Sequence, residues 1–404
     1  MSRPNPELAH IAAASSIDGF TLLAHSDLGG SGDGFQVLRR GDYVYVAHLG
    51  VSDMALSILD VSDIAEPKLV RQIEHPQNTR CHKVQIVGDL LIQNNELPYW
   101  ARGSDGGAAK AGMTVYDLSD PTHPRPVGFH PSSGEGVHRL WFSELPFAHI
   151  ANYLPGGQYQ SYEIVDLTDP SAPVSAGSWS VPGTFADDQD PWAKLDPAAF
   201  FGVHGVIPHG DRAYVSCLDA GFALLDITDV AAPELLGRVS WSPPMGGFVH
   251  TALPLRDREL VIATSEGLPH QMQAGDKRIW VIDVREERQP VTIATFPEPV
   301  PPAATGAASY RDLPGVYGPH NLHENRPGSY VSDQRIFATY SNAGLRVYDI
   351  SDPFRPDEVA RFVPPAPEGA ASSLLNDLYV DDQSRVYVTD RAGGGLYILQ
   401  YDDR

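Results

Sequence analysis

The sequence predicts an all-β chain, a seven-bladed β-propeller with four antiparallel strands in each blade. Three observations carry the prediction. A phrase of the form apolar-x-apolar-apolar-Asp-apolar-Ser/Thr-Asp returns along the whole chain, two short apolar strands precede each copy, and the last copy stops one strand short of a full unit.

The phrase reads LSILDVSD from Leu56, MTVYDLSD from Met113, YEIVDLTD from Tyr162, FALLDITD from Phe222 and LRVYDISD from Leu345, with looser copies IWVIDVRE from Ile279 and LYILQYDD from Leu396. Most copies run into a proline-containing turn and a further apolar strand, as in EPKLVRQIEHP and RPDEVARFVPP. Ahead of the fourth copy stands HGVIPHGDRAYVSCLDAG, two strands joined by a tight turn at Gly210-Asp211. The units are expected at 35–76, 82–131, 138–182, 204–242, 250–298, 320–364 and 377–403, all within one domain. The last unit lacks its fourth strand, and FTLLAHSDL from Phe20, within 18–29, is the natural outer strand for it. A sheet protein closed in this way has no open edges to protect.

This phrase resembles the LVIVD repeat family of β-propellers, and the resemblance covers nearly the whole chain. It implies the propeller fold. For function it implies only that interaction surfaces and enzymes are both represented in the family.

Composition narrows the partners. With 29 Lys and Arg against 51 Asp and Glu, the formal charge of −22 opposes nucleic acid, acidic lipid and polyanionic substrates. Two cysteines, Cys81 and Cys217, give neither a disulfide framework nor a thiolate metal set, and they suit a reducing compartment. The N-terminal stretch has no charged start followed by an apolar run, and no segment approaches the roughly 20 apolar residues that span a bilayer. The expectation is a cytoplasmic protein that meets a small molecule.

Aligning the units on their second strands places one residue from each in register at the start of the innermost strand: Phe35, His82, His138, His204, His250, His320 and Asp377. In a propeller these positions face one another around the mouth of the central channel. Imidazole is the commonest ligand for Zn, Cu, Fe and Ni, and a catalytic site keeps a coordination position open. The five histidines and Asp377 are therefore the candidate ligands of one divalent transition metal ion, with Fe(II) favoured over Mn, Zn or Cu. Phe35 is an apolar wall. Shared ancestry of the repeats weighs against reading five histidines as five independent signals. His48, His75, His130, His149, His209 and His323 are set aside as structural or surface residues.

Carboxylates at the ends of second strands reach the same mouth. Glu96 in QNNE and Glu266 in ATSEG are the candidate acid-base groups, with Asp219 and Asp390 in similar places. Successive members of the column from His82 to Asp377 lie 56, 66, 46, 70 and 57 residues apart, so most units carry insertions beyond a minimal blade. Those loops bring Tyr99, Trp100, Trp192, Phe201 and Tyr317 as apolar contacts for a small organic molecule.

Three functions fit. A set of neutral imidazoles that tolerates changes of oxidation state favours an oxidoreductase or oxygenase, which resembles, in architecture only, the four-histidine iron site of carotenoid-cleaving oxygenases. A redox-silent lyase, hydrolase or isomerase with a Lewis-acid ion is the second. A non-enzymatic interaction scaffold is the third. The glycine-rich GGSGDGF and RAGGGL have no helix behind them, so neither cradles a phosphate.

Overall fold

In the computed structural model each copy of the repeated phrase becomes the third strand of a four-stranded antiparallel sheet: Met54–Asp60, Gly112–Asp117, Ser161–Asp166, Phe222–Asp226, Ile279–Asp283, Leu345–Asp349 and Gly395–Tyr401. The structure describes residues 6–98, 110–188, 200–242, 244–268 and 276–402. These third strands are buried along nearly their whole length, whereas outer strands such as Lys68–Glu74 meet solvent. The chain is a seven-bladed β-propeller.

The aspartates of the phrase have a local task. Asp60, Asp117, Asp166, Asp226, Asp283 and Asp349 each accept a hydrogen bond from the backbone N–H two residues on, at 2.7–3.0 Å. Three residues later Asp63, Asp120, Asp169, Asp229 and Asp352 repeat the contact at 2.9–3.1 Å. Five of the seven copies thus end their strand with two successive Asx turns, which is why Asp and Ser or Thr recur there.

Described residues fall into two compact units. Blades 1, 6 and 7 belong to one, formed by Met1–Ile73, Gly267–Gln273 and Ala294–Arg404, and blades 2 to 5 to the other, formed by Glu74–Glu266 and Ala274–Ile293. In the second unit, successive blades bury apolar faces such as Ile92, Val115 and Leu140, then Ile164, Val206 and Val215, then Leu224, Val261 and Trp280. Outer-strand glycines set their spacing. A Cβ on Gly128, Gly177 or Gly237 would lie 2.0, 1.9 or 2.2 Å from the carbonyl oxygen of Pro170, Val230 or Glu287 in the next blade.

In the first unit Phe20–Ser26 pairs with Gly395–Tyr401 and completes blade 7, as expected. Blade 1 then packs on blade 7, where Asn376 Nδ2 and Thr389 Oγ1 donate to the Phe35 carbonyl at 3.1 and 2.6 Å. Two features depart from the sequence reading. Ser16–Asp18 pairs with the outer strand Asp357–Val363 of blade 6, so the N-terminal segment serves two blades. The expected inner strand of blade 6 at His320 is reduced to a bridge between Leu322 and Ala338, although the backbone of His320, Asn321 and His323 still bonds Thr339 and Phe337 of the second strand. A short helix, Pro6–Ala14, buries Ile11 against the same core. Among the described residues no helix is long and apolar enough to cross a membrane.

Blade 1 also contains a fully buried polar chain. His48 donates or accepts at 2.7 Å on each side, to Asp33 through Nδ1 and to Ser57 through Nε2. Asp33 further accepts from the backbone of Gly50, Val51 and Ser52 at 3.0–3.1 Å. Burial pushes the Asp33 carboxyl up, but His48 and Ser52 hold it down at about 2.

Replacing Asp33 with Ala is expected to cost on the order of 3 kcal/mol, since it strands His48 and three amides, read as a fall in the urea midpoint. Because its folded pKa lies below the unfolded value of 3.8, the Asp33 contribution is complete above pH 4 and fades as pH falls toward 2. The acid-unfolding curve of Asp33→Ala should therefore be flatter than that of wild type over that interval. Removing residues through Ser26 should bare the outer edges of blades 6 and 7, giving a lower melting temperature and self-association in size-exclusion chromatography.

Candidate metal centre

Antiparallel pairing of inner and second strands brings the start of one beside the end of the other. In blade 2, His82 stands before Val84–Val87 and Glu96 follows Leu90–Asn95; in blade 5, His250 lies in Val249–Leu255 and Glu266 follows Leu260–Ser265. His138 and His204 come from the same position in blades 3 and 4, their backbone N–H groups donating to Ala151 and Ser216 carbonyls. All six residues belong to the unit of blades 2 to 5.

The four rings form a file. Centroids are 5.1 Å apart for His82 and His138, 4.8 Å for His138 and His204, and 4.1 Å for His204 and His250. Two groups have ligand atoms close enough to share a metal ion: His82, Glu96 and His138, and His204, His250 and Glu266. The groups meet where His138 Nε2 lies 3.1 Å from His204 Nε2.

Hydrogen bonds assign the tautomers. His138 Nδ1 is 2.9 Å from Glu96 Oε1, a carboxylate oxygen that only accepts, so Nδ1 carries the proton. His204 Nδ1 is 2.9 Å from the His250 carbonyl and also donates. In the neutral rings both Nε2 atoms are then bare, two lone pairs face to face. Such a contact is favourable only with a cation between them, a shared proton or a metal ion. Twice the 2.0–2.1 Å of an imidazole-metal bond exceeds their separation, so one ion can reach both.

The flanking histidines are held the other way round. His82 Nδ1 accepts from Asn94 Nδ2 at 3.1 Å, an amide fixed by the Lys83 N–H and the Val137 carbonyl. His250 Nδ1 accepts from Arg139 Nη1 at 3.0 Å. Their neutral forms carry the proton on Nε2, and that of His250 faces Glu266 Oε2 at 3.8 Å. Burial first, and then neighbouring cations, hold His82 and His204 well below the usual histidine range. For His82 those cations are Arg80 and Lys83; for His204 they include Arg139 and Lys83.

Glu96 is an ion-pair partner here, clasped by Arg80 on one oxygen and His138 on the other. Burial raises its pKa, yet Arg80 and then His138 hold it at about 2, which makes it a weak base and a firm orienting group. Gly136 permits the fit: its φ is +117°, and a Cβ would stand 2.7 Å from the Glu96 Cα. Glu266 has Lys277 near it, and burial lowers the proton affinity of that lysine while Asp219 and Glu266 oppose the shift.

His320 and Asp377 lie in the other compact unit and belong to neither group. His320 Nδ1 is 2.6 Å from the Asn376 carbonyl and its ring meets Phe35 edge-on at 6.0 Å; Asp377 accepts from the Val37 N–H at 3.3 Å. Tyr99, Trp100 and Trp192 lie outside the described residues, Phe201 is half-buried against Tyr159, and Tyr317 is buried under Arg311. Sequence reasoning missed Arg80, Lys83 and Arg139, although each sits within two residues of a column histidine. A cavity of about 530 Å³ lined by Arg212, Tyr214, Glu287 and Arg288 among others shares no residue with the cluster.

Fold and site together define a β-propeller with a buried histidine-carboxylate cluster. The sequence model of the LVIVD repeat matches residues 31–74 and 204–240, so LVIVD repeats are present in this β-propeller of seven four-stranded blades. No curated protein matches the sequence. Among solved structures, the Cps50 (Swd1) propeller domain of Myceliophteria thermophila is similar at a TM-score of 0.57 and 12% identity, covering 95% of this chain and 98% of its own. The periplasmic gluconolactonase PpgL of Pseudomonas aeruginosa aligns at 0.54 and 14% identity, over 85% of this chain and 91% of its own. The computationally designed Ika8 protein aligns at 0.54 and 11%, over 93% and 98%. At these identities the likeness is one of fold.

Replacing Arg80 with Met should leave the Glu96 charge buried with one partner fewer, at a cost of about 3–5 kcal/mol in urea denaturation. The loss should be fullest above pH 4.5 and shrink as pH falls toward 2, because the Glu96 pKa is lowered by folding.

Proposed function

We propose that the chain is a metal-dependent enzyme acting on a small organic molecule, with the ion held by Nε2 of His138 and Nε2 of His204 and oxidoreductase or oxygenase chemistry at that centre. The observation that carries this reading is the pair of bare nitrogens 3.1 Å apart, each with its far side fixed by a hydrogen bond. Iron(II) bound there would supply one-electron chemistry with dioxygen, and imidazole donors suit it, as they do copper.

The chain's own groups have separate tasks. Glu96 fixes the His138 tautomer, and Arg80 fixes Glu96. The His250 carbonyl fixes His204, and Arg139 holds that same carbonyl at 3.1 Å together with the His250 ring. His138, with 23% of its side chain exposed, is the member of the file open to an arriving molecule. His82 and His250 come within reach of the ion if their Nδ1 contacts yield. For location we keep the cytoplasmic expectation, supported by two buried, unbridged cysteines.

A redox-silent hydrolase or lyase is the second reading, favoured by Glu266. Its carboxylate lies 3.8 Å from His250 Nε2 with the Lys277 charge beside it, a buried acid-base group suited to moving a proton. A gluconolactonase among the fold relatives shows that the architecture accommodates small-molecule enzymes.

Elemental analysis by plasma mass spectrometry on untagged protein purified without chelator tests the proposal. Near-stoichiometric iron or copper is expected in the wild type and less than about a tenth of it in a His138→Ala, His204→Ala double variant. Zinc or manganese would transfer support to the redox-silent reading. An absence of metal in both proteins after reconstitution would refute both.

A further inference from the structure

One copy of the repeated phrase departs from the pattern of the others. In five blades the turn after the third strand reads Asp-x-Ser/Thr-Asp-x-x-x-Pro, from Asp60, Asp117, Asp166, Asp226 and Asp349. Blade 5 keeps the first aspartate as Asp283 and the proline as Pro290, but between them it reads VREERQ. Arg285 stands where the others have Ser or Thr, and Glu286 where they have the second aspartate. A glutamate carboxyl lies one methylene further out and does not close the short turn that Asp63 and Asp229 close at 3.1 and 3.0 Å. Arg285, Glu286, Glu287 and Arg288 instead line the cavity of about 530 Å³ between blades 4 and 5.

Blade 4 supplies the facing wall. Arg212 donates through Nε and Nη2 to the two carboxylate oxygens of Glu287 at 2.7 and 3.1 Å, a clasp from blade to blade. Arg285 turns back on Asp283, its Nε lying 2.9 and 3.1 Å from the two oxygens. Leu260 and Val284, 6% and 7% exposed, and half-buried Leu236 add apolar surface to the lining. Charges of both signs are thus already matched within the wall. An ionic ligand would have to displace one of these partners, whereas a hydroxyl adds to them, since each Glu287 oxygen offers a second lone pair beyond the one that Arg212 takes. We propose that this cavity is a second binding site and that its ligand is a neutral polyhydroxylated molecule, a mono- or disaccharide, with its hydroxyls on the paired charges and its C–H face on the leucines. The volume lies within the roughly 300–1,000 Å³ of small-molecule sites. Arg212 begins the strand Arg212–Ser216, and His204 bonds Ser216 at its other end, so this site is separate from the histidine cluster and independent of the metal reading.

Saturation-transfer NMR on the full-length protein, with glucose, galactose, mannose and maltose as probes, tests the proposal. At least one of these sugars should receive saturation and titrate with a dissociation constant of about 1 mM or below. An Arg285→Ser, Glu286→Asp double variant restores the turn of the other blades, so it should melt no lower than wild type and yet bind that sugar about tenfold more weakly or worse. Should the double variant melt lower, Arg288→Ala, at an exposed position, carries the same comparison. Transfer to no sugar of the panel, or wild-type affinity in the folded variant, would overturn the proposal. Displacement of the bound sugar by acetate or methylammonium at lower concentration than by a second sugar would overturn the assignment of a neutral ligand.

Discussion

A carboxylate taken out of water at Glu96 has to be met by partners, and much of the site is the set of groups that meet it. Arg80 takes one oxygen and the His138 ring takes the other. That second contact decides which nitrogen of His138 is protonated and so turns its bare Nε2 toward His204. The Gly136 backbone is drawn close enough to the Glu96 backbone that a side chain would not fit. One buried charge in blade 2 therefore sets the chemistry offered by blade 3, and hydrogen bonds from blades 4 and 5 continue the arrangement through His204 and His250.

Much of the fold could be read from the residues because the repeated phrase records two physical demands at once. Its apolar positions answer burial on both faces of a strand, and its aspartates answer the turn that follows. The strand that completes blade 7 was visible because one unit lacked a partner and one segment had none. Ser16–Asp18 is too short to carry a periodic signal, and the helix Pro6–Ala14 contributes only Ile11 to the core. The inner strand of blade 6 is shorter than its pattern implies, a single bridge at Leu322 flanked by backbone bonds from His320, Asn321 and His323 to Thr339 and Phe337.

The site was partly legible for a related reason. Register alone gathers His82, His138, His204 and His250, and it places Glu96 and Glu266 at matching strand ends of blades 2 and 5. Register says nothing of which ring nitrogen is bare. That depends on Asn94, Arg139 and backbone carbonyls, whose bonds exist only once the blades are packed. Nor did it mark the cations. Arg80, Lys83 and Arg139 look like ordinary strand-edge residues until their burial is known.

The pairing of Ser16–Asp18 and Phe20–Ser26 with the final two blades carries a consequence for how the molecule is made. During synthesis these segments leave the ribosome well before their partners, which lie more than 340 residues further along the chain. Until then two strand edges wait unpaired, able to join a neighbouring nascent chain. The latch that completes blades 6 and 7 is thus also a stretch open to mispairing until its partners emerge.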